Sequence, residues 1–218
     1  MKPKKNLLKN SRLYLILDKD VCGEKRLIPV LSRALKGGVD VVQFRDKTSS
    51  VSHMIRLAGP LAELTRRHGR IFIVNDRPEV ARAVLADGIH VGQEDSPVEV
   101  LREFLGNDLL IGLSCHSLCD LKRAQDLPID YAGFGPVFPT QTKPLVKARG
   151  TRLLKKALAL CRLPVFAIGG IEKKTLSIVM AAGARRIACC REICLAENPD
   201  KTAAILKSAL SGETCIKN

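Results

Sequence analysis

Short apolar runs alternate along the chain with longer stretches in which apolar residues recur every three or four positions. The runs are Leu13–Leu17 (LYLIL), Val39–Phe44 (VDVVQF), Ile71–Val74 (IFIV), Gly88–Val91 (GIHV), Leu109–Leu113 (LLIGL), Tyr131–Phe134 (YAGF), Val165–Ile168 (VFAI) and Arg186–Cys190 (RIACC). Segments this short, rich in Ile, Val and Leu, predict the strands of a parallel sheet covered on its faces. The stretches between them read as helices. Ser52–Arg67 places Ile55, Leu57, Ala58, Leu61, Ala62 and Leu64 at helical spacing. Leu27–Lys36 ends at Gly37-Gly38, and Pro97–Leu105 opens after Ser96 as N-cap with Pro97 at the first helical position. Leu118–Asp126, Arg152–Leu160, Lys174–Ala182 and Asp200–Leu210 follow the same rule.

Eight such strand–helix pairs in 218 residues indicate a single (β/α)8 TIM barrel. A doubly wound sheet is the alternative. It usually carries G-x-G-x-x-G after its first strand, where this chain has Asp18-Lys19-Asp20. The expected division is a basic N-terminal tail over residues 1–12, one catalytic domain over 13–211 and a C-terminal tail over 212–218.

The formal net charge of +14 adds attraction to polyanions, nucleic acid and phosphorylated small molecules among them. The cations are dispersed, and no arginine-rich run interleaves with aromatic residues, so nucleic acid is not the expected partner. The Leu13–Leu17 run is too short for a secretory segment, which needs ~7–15 apolar residues, and no run approaches a membrane span. The chain reads as cytoplasmic, its eight cysteines reduced, with no membrane partner. Cys189-Cys190 reads as core packing, and Cys115-His116-x-x-Cys119 lacks a second ligand pair at zinc spacing. The sequence leaves a homo-oligomer open.

In a TIM barrel the chemistry sits at the C-terminal ends of the strands. Gln43, Arg45 and Lys47 alternate after the second run, so an extended chain points them one way. An amide and two cations in that arrangement suit a phosphate or diphosphate, though solvated charges at a strand end read equally well. Asp76 and Asp95 follow the third and fourth runs. Two carboxylates beside a cationic cluster point to Mg²⁺, while helix capping before Pro78 and Pro97 is the plainer alternative. Ser114 and His116 follow the fifth run, the first placed to touch a substrate and the second a proton shuttle or a hydrogen-bonded loop residue. His90, inside its run, reads as structural.

The sixth run leads into Gly135–Pro144 (GPVFPTQTKP), a loop stiffened by Pro136, Pro139 and Pro144 that presents Thr140, Thr142 and Lys143 as a second anion-binding candidate. Gly169-Gly170 and Arg191-Glu192 follow the last two runs, where barrels often bind phosphate. Two phosphate pockets and one candidate metal site on a single rim fit a transfer that expels diphosphate and joins the remainder to a monophosphorylated acceptor.

Gln43–Lys47 (QFRDK), Asn75-Asp76-Arg77, Asp87–Asp95 (DGIHVGQED), Gly112–His116 (GLSCH), Tyr131–Lys143 (YAGFGPVFPTQTK) and Ala167–Ile171 (AIGGI) resemble, in order and spacing, the motifs of the thiamine phosphate synthase family, over about Leu13 to Leu210. The resemblance implies a transferase that joins 4-amino-5-hydroxymethyl-2-methylpyrimidine diphosphate to a thiazole phosphate, giving thiamine phosphate and diphosphate. It implies that Gln43, Phe44, Arg45, Asp46, Lys47, Asn75, Ser114 and Lys143 surround the pyrimidine diphosphate, with Arg45, Lys47, Lys143 and Ser114 catalytic. Thr140, Gln141, Thr142, Gly170, Cys190 and Arg191 would hold the thiazole phosphate, and Asp76 and Asp95 would bind Mg²⁺. One departure stands out. Where the family usually has Val-Ser-Ala-Ile, this chain has Cys190-Arg191-Glu192-Ile193, so that a bulkier cation replaces a hydroxyl and Glu192 is placed to pair with it. A thiazole tautomerase of related fold, using His116, and a nucleic-acid-binding module are the rival readings. Neither requires Arg45, Lys47, Asp76, Asp95 and Lys143 together.

Overall fold

The computed structural model describes residues 4–141 and 147–212. Eight strands close a parallel barrel in sequence order: β1 (Leu13–Asp18), β2 (Val41–Arg45), β3 (Ile71–Asn75), β4 (Gly88–Val91), β5 (Leu110–Cys115), β6 (Tyr131–Phe134), β7 (Val165–Ile168) and β8 (Ile187–Cys189). Closure is decided at β1, which pairs with β2 through Tyr14 and Val41 and with β8 through Tyr14 and Ala188. A doubly wound sheet would leave open edges, so the (β/α)8 expectation holds. Around the barrel run α1 (Lys4–Asn10), α2 (Lys19–Cys22), α3 (Leu27–Lys36), α4 (Val51–Arg67), α5 (Pro78–Ala83), α6 (Val98–Leu105), α7 (Leu118–Ala124), α8 (Gly150–Leu160), α9 (Lys173–Ala181), α10 (Arg191–Cys194) and α11 (Pro199–Ser211).

The period of two along each strand sorts side chains between two cores. Leu13, Leu15 and Leu17 of β1, with Val42 and Phe44 of β2, face the helices. Tyr14 and Ile16 face inward and pack with Val41, Ile71, Ile73, Leu110, Tyr131 and Phe166 inside the barrel. Gly112 makes this interior possible, because a Cβ there would lie 2.1 Å from Cζ of Tyr131. The inward layer turns polar toward the C-terminal strand ends, where Gln43, Asn75 and His90 are buried.

Several local expectations are corrected. Residues 4–10 of the predicted basic tail form α1, whose Leu8 plugs the base of the barrel interior. Lys4 and Lys5 anchor this helix to Asp87 (3.3 Å) and Asp130 (2.9 Å). Leu8, with Leu7 packed beside it, and two ion pairs thus override a run that reads as solvated. β2 begins at Val41 rather than Val39, because Asp40 turns its carboxylate to the N–H groups of Arg12 (2.8 Å) and Leu13 (3.0 Å). Ser96 does not cap α6; Pro97 is its N-cap and makes no side-chain cap bond. The α5 helix, short and opened by Pro78, lacks the periodicity that would predict it from sequence. At the other end α11 closes at Gly212 in the left-handed region (φ 73°), and residues 213–218 lie outside the described residues.

Candidate active site

The C-terminal strand ends enclose a cavity of about 420 Å³, within the ~300–1,000 Å³ usual for small-molecule sites. From β2 it receives Gln43, Arg45 and Lys47, so the alternation predicted for these three is observed. β3 and β4 supply Asn75, Asp76 and Asp95, and β5 supplies Ser114 and His116. The loop after β6 supplies Thr140 and Gln141. Gly170 follows β7, and Cys190 and Arg191 follow β8.

Both cations of the β2 end are paired with carboxylates. Arg45 meets Asp18, whose side chain is buried at the end of β1. Asp18 divides its oxygens: Oδ1 accepts the N–H groups of Asp20 (3.0 Å) and Val21 (3.1 Å), starting α2, and Oδ2 takes the guanidinium. Lys47 meets Asp76 Oδ2, which also accepts Asn75 Nδ2 at 2.6 Å.

Asp76 is held in a costly conformation. Its φ is 59°, and it sits at the centre of a tight turn in which Arg77 N donates to Asn75 O at 2.8 Å. Aspartate is among the few residues that tolerate this region, and such outliers gather at functional sites. Burial pushes the Asp76 carboxyl above its ordinary pKa; Lys47 opposes the shift, and the Asp95 carboxylate adds to it. The two carboxylates are therefore neighbours. Asp95 Oδ2 accepts Gly92 N at 2.6 Å, and neither acid caps a helix, since Arg77 is the N-cap of α5 and Pro97 that of α6. The capping alternative falls. Two adjacent oxygen donors beside ammonium and guanidinium groups are the donor chemistry that fits Mg²⁺, an ion that takes one or two carboxylates and keeps water or phosphate elsewhere.

Beneath these charges a buried hydrogen-bond chain crosses the barrel. Gln43 Nε2 donates to Tyr14 Oη (2.9 Å), which contacts Tyr131 Oη (3.0 Å); Tyr131 Oη meets His90 Nδ1 (3.2 Å), and His90 Nε2 meets Ser114 Oγ (2.9 Å). Burial pushes both tyrosine hydroxyls well above their ordinary pKa, so they remain neutral. Each hydroxyl has one proton. Tyr14 accepts from Gln43, either tyrosine hydroxyl can donate to the other, and the imidazole tautomer sets which way the His90–Ser114 bond runs.

The β6–β8 side is built from backbone. The Gly135–Pro136 peptide is cis, and Val137 N and Phe138 N bond to the carbonyls of Ile168 (2.8 Å) and Gly169 (3.0 Å). These bonds fasten the loop to the end of β7 and bring Thr140 and Gln141 over the cavity. Gly170 has a φ of 62°, and a Cβ there would lie 2.6 Å from Pro139 O. His116 Nδ1 faces Gly135 O at 2.6 Å, and since a carbonyl only accepts, Nδ1 carries a proton.

The thiamine monophosphate synthase family model matches residues 13–193. The chain belongs to that family. It is 38% identical to "Thiamine-phosphate synthase 1" of Aquifex aeolicus over 200 residues, 92% of this chain and 93% of the relative. It is 40% identical to "Thiamine-phosphate synthase" of Thermosynechococcus vestitus over 204 residues, 94% of this chain but 57% of the relative, so it spans little more than half the length of that protein. Among solved structures, the thiamine phosphate pyrophosphorylase from Pyrococcus furiosus superposes with a TM-score of 0.86 at 34% identity, covering 97% of this chain and 99% of its own.

Against the positions that membership in the thiamine monophosphate synthase family implies, two differ. Phe44 does not line the cavity, because the strand alternation that turns Gln43 and Arg45 inward turns Phe44 to the helices. Asp46 is buried behind the β2–α4 loop. Its Oδ1 accepts Thr48 N and Ser49 N (both 3.0 Å) and meets Lys19 Nζ (3.1 Å). Asp46 therefore shapes the loop rather than facing a ligand. Thr142 and Lys143 lie outside the described residues. Asp18, Tyr14 and Tyr131 are absent from the sequence-predicted site, and His90, read as structural, is a link between Tyr131 and Ser114. The available signal is that Tyr14 and Tyr131, the chain's two tyrosines, both fall at inward positions of apolar runs.

Proposed function

We propose that the protein is a thiamine phosphate synthase, joining 4-amino-5-hydroxymethyl-2-methylpyrimidine diphosphate to a thiazole phosphate and releasing diphosphate. The observation that carries this reading is the convergence of Arg45, Lys47, Asp76 and Asp95 on one cavity that Arg191 also lines. The first group suits a diphosphate and its counter-ion, and the further guanidinium suits a second, singly phosphorylated molecule. No helix of the described residues is long and apolar enough to cross a membrane.

Arg45, Lys47 and Ser114 would hold the diphosphate, with Lys143 of the β6–α8 loop. Gln43 and Asn75 would orient the pyrimidine portion. Mg²⁺ held by Asp76 and Asp95 would supply positive charge to offset that of the departing diphosphate. In the reaction the bond between the pyrimidinyl methylene carbon and the diphosphate oxygen breaks, the oxygen keeping the electron pair. The electron-rich ring stabilises the resulting cation, and the thiazole nitrogen closes a C–N bond with its lone pair. No proton moves in this exchange, so neutral Tyr14 and Tyr131 suit a site that needs no base. The guanidinium, ammonium and hydroxyl donors are fixed before reaction, which is where electrostatic catalysis gains most. Thr140, Gln141, Thr142, Gly170, Cys190 and Arg191 would hold the thiazole phosphate close, making capture effectively unimolecular.

Titration calorimetry tests the assignment of the first pocket. The pyrimidine diphosphate should bind the wild-type protein in the presence of Mg²⁺ and bind Arg45→Ala at least about tenfold more weakly, as the loss of a charge-assisted contact requires. Equal affinity for both proteins would remove Arg45 from the diphosphate site.

A further inference from the structure

Two successive residues at the end of β1 meet two successive residues at the end of β2 with their charges crossed. Asp18 pairs with Arg45, and Lys19, next in the chain, places Nζ 3.1 Å from Asp46 Oδ1. The same ammonium donates to Thr48 Oγ1 and Ser49 Oγ, both at 2.7 Å. An ammonium has three N–H donors, and here three oxygens of one short turn accept them. The Asp20 carboxylate lies further off, at 3.8 Å. The Lys19 side chain is 15% exposed and that of Asp46 is fully buried, so this is an enclosed contact rather than a surface pair. Lys19 is not among the described residues that line the cavity.

The turn that Lys19 grips carries Lys47. Asp46 precedes that lysine, Thr48 and Ser49 follow it, and Asp46 Oδ1 also accepts the N–H groups of Thr48 and Ser49 at 3.0 Å. Lys47 itself is half-exposed and reaches Asp76. A long exposed side chain keeps much of its rotamer freedom, so the backbone beneath it must supply its direction. Lys19 holds that backbone on both sides of Lys47. It also compensates a charge. Asp46 lies between Arg45 and Lys47 in sequence, and its Oδ2 is buried without a hydrogen-bond partner among the described residues. A buried carboxylate deprived of its ammonium would draw on those two cations, which line the cavity.

We propose that Lys19 is a positioning residue for the diphosphate half of the site: by clamping Asp46, Thr48 and Ser49 it fixes the turn that aims Lys47 and keeps the Asp46 carboxylate from competing with the diphosphate for cations. This rests on the synthase reading above. The side chain acts through Lys47 and Arg45 and touches neither substrate.

The test is steady-state kinetics with each substrate varied while the other is saturating, on wild type, Lys19→Met, Lys19→Arg and Thr48→Val. Lys19→Met keeps the stem and removes the ammonium. It should raise KM for the pyrimidine diphosphate about tenfold and leave KM for the thiazole phosphate as in wild type. Lys19→Arg, which keeps a charge and donors, should recover part of that loss. Thr48→Val removes one acceptor, leaves no charge unpaired and so keeps the fold; it should raise the same KM about threefold. An equal rise in both KM values in Lys19→Met, the mark of a general loosening of the barrel, would overturn the proposal. So would a lowered Tm with the pyrimidine-diphosphate KM unchanged. Should Lys19→Met not fold, Thr48→Val decides alone: a pyrimidine-diphosphate KM equal to that of wild type would overturn the proposal. Failure of the wild-type protein to form thiamine phosphate at all would overturn the synthase reading itself, and this inference with it.

Discussion

Asp18 at the end of β1 and Arg45 at the end of β2 are register partners in the sheet, and the buried Asp18 carboxylate pairs with the guanidinium that lines the cavity. The strand pairing sets which carboxylate the guanidinium meets. Removing Arg45 leaves the Asp18 carboxylate, 2% exposed, without its cation, whereas removing the Asp18 charge leaves a guanidinium that still reaches the cavity. Arg45→Met should therefore lower stability by about 3–5 kcal/mol, measured by denaturant unfolding. Asp18→Asn, whose side-chain oxygen can still accept the N–H groups that start α2, should cost less. An equal or larger cost for Asp18→Asn would contradict this order.

At Asp76 stability and function should part. Burial and the Asp95 carboxylate raise its pKa, so its ionised form is disfavoured in the metal-free fold. The sign follows: a carboxyl raised in the folded state stabilises below its unfolded pKa and loses that contribution as pH rises through the folded value. Asp76→Asn keeps a residue that accepts positive φ and removes the charge. It should raise the Tm of the metal-free protein at neutral pH while abolishing turnover. Added Mg²⁺ should raise the Tm of wild type and leave the variant unmoved. A variant that retains Mg²⁺-dependent turnover would sink the metal assignment.

Asp46 should govern acid stability. Burial raises its pKa, but bonds from the Ser49 hydroxyl and the N–H groups of Thr48 and Ser49, with Lys19, outweigh that and hold it down at about 2. An aspartate is near ~3.9 when unfolded, so this contribution is present above that pH and lost as pH falls toward 2. Wild type should lose stability across that interval more steeply than Asp46→Asn. Parallel curves from chemical denaturation between pH 4.5 and about 2 would contradict the assignment.

Most of the barrel is legible in the sequence because its signal is local. Apolar runs broken by amphipathic stretches at regular intervals specify eight strands, and strand-end polarity locates Arg45, Lys47, Asp76, Asp95 and Ser114 at one mouth. What stays hidden depends on contacts between elements. Phe44 shares a motif with Gln43 and Arg45 but points the other way, which the motif alone does not say. Asp18 looks like a loop residue until its pairing with Arg45 is seen. Leu8 sits among lysines, and only the open base of the barrel gives it a place to go. Glu192 follows Arg191 directly, yet the start of α9 claims it.

Gly112 marks where the interior tolerates no extra atom. Gly112→Ala would set a methyl group 2.1 Å from the Tyr131 ring, displacing the residue that links Tyr14 to His90. Overpacking of this kind should cost about 1–3 kcal/mol. Turnover should fall further than the stability loss explains, because His90, which holds Ser114 Oγ at 2.9 Å, loses its Tyr131 partner. A variant with wild-type turnover would show that this chain of bonds does not serve the reaction.

The central claim is a Mg²⁺-assisted transfer that couples two phosphorylated substrates, and product analysis tests it most directly. The purified protein would be given the pyrimidine diphosphate and the thiazole phosphate, with Mg²⁺ or with EDTA, and thiamine phosphate and diphosphate would be quantified by chromatography. The account predicts equimolar formation of both products with Mg²⁺ and almost none with EDTA. Diphosphate release without thiamine phosphate, or product formation indifferent to EDTA, would contradict it.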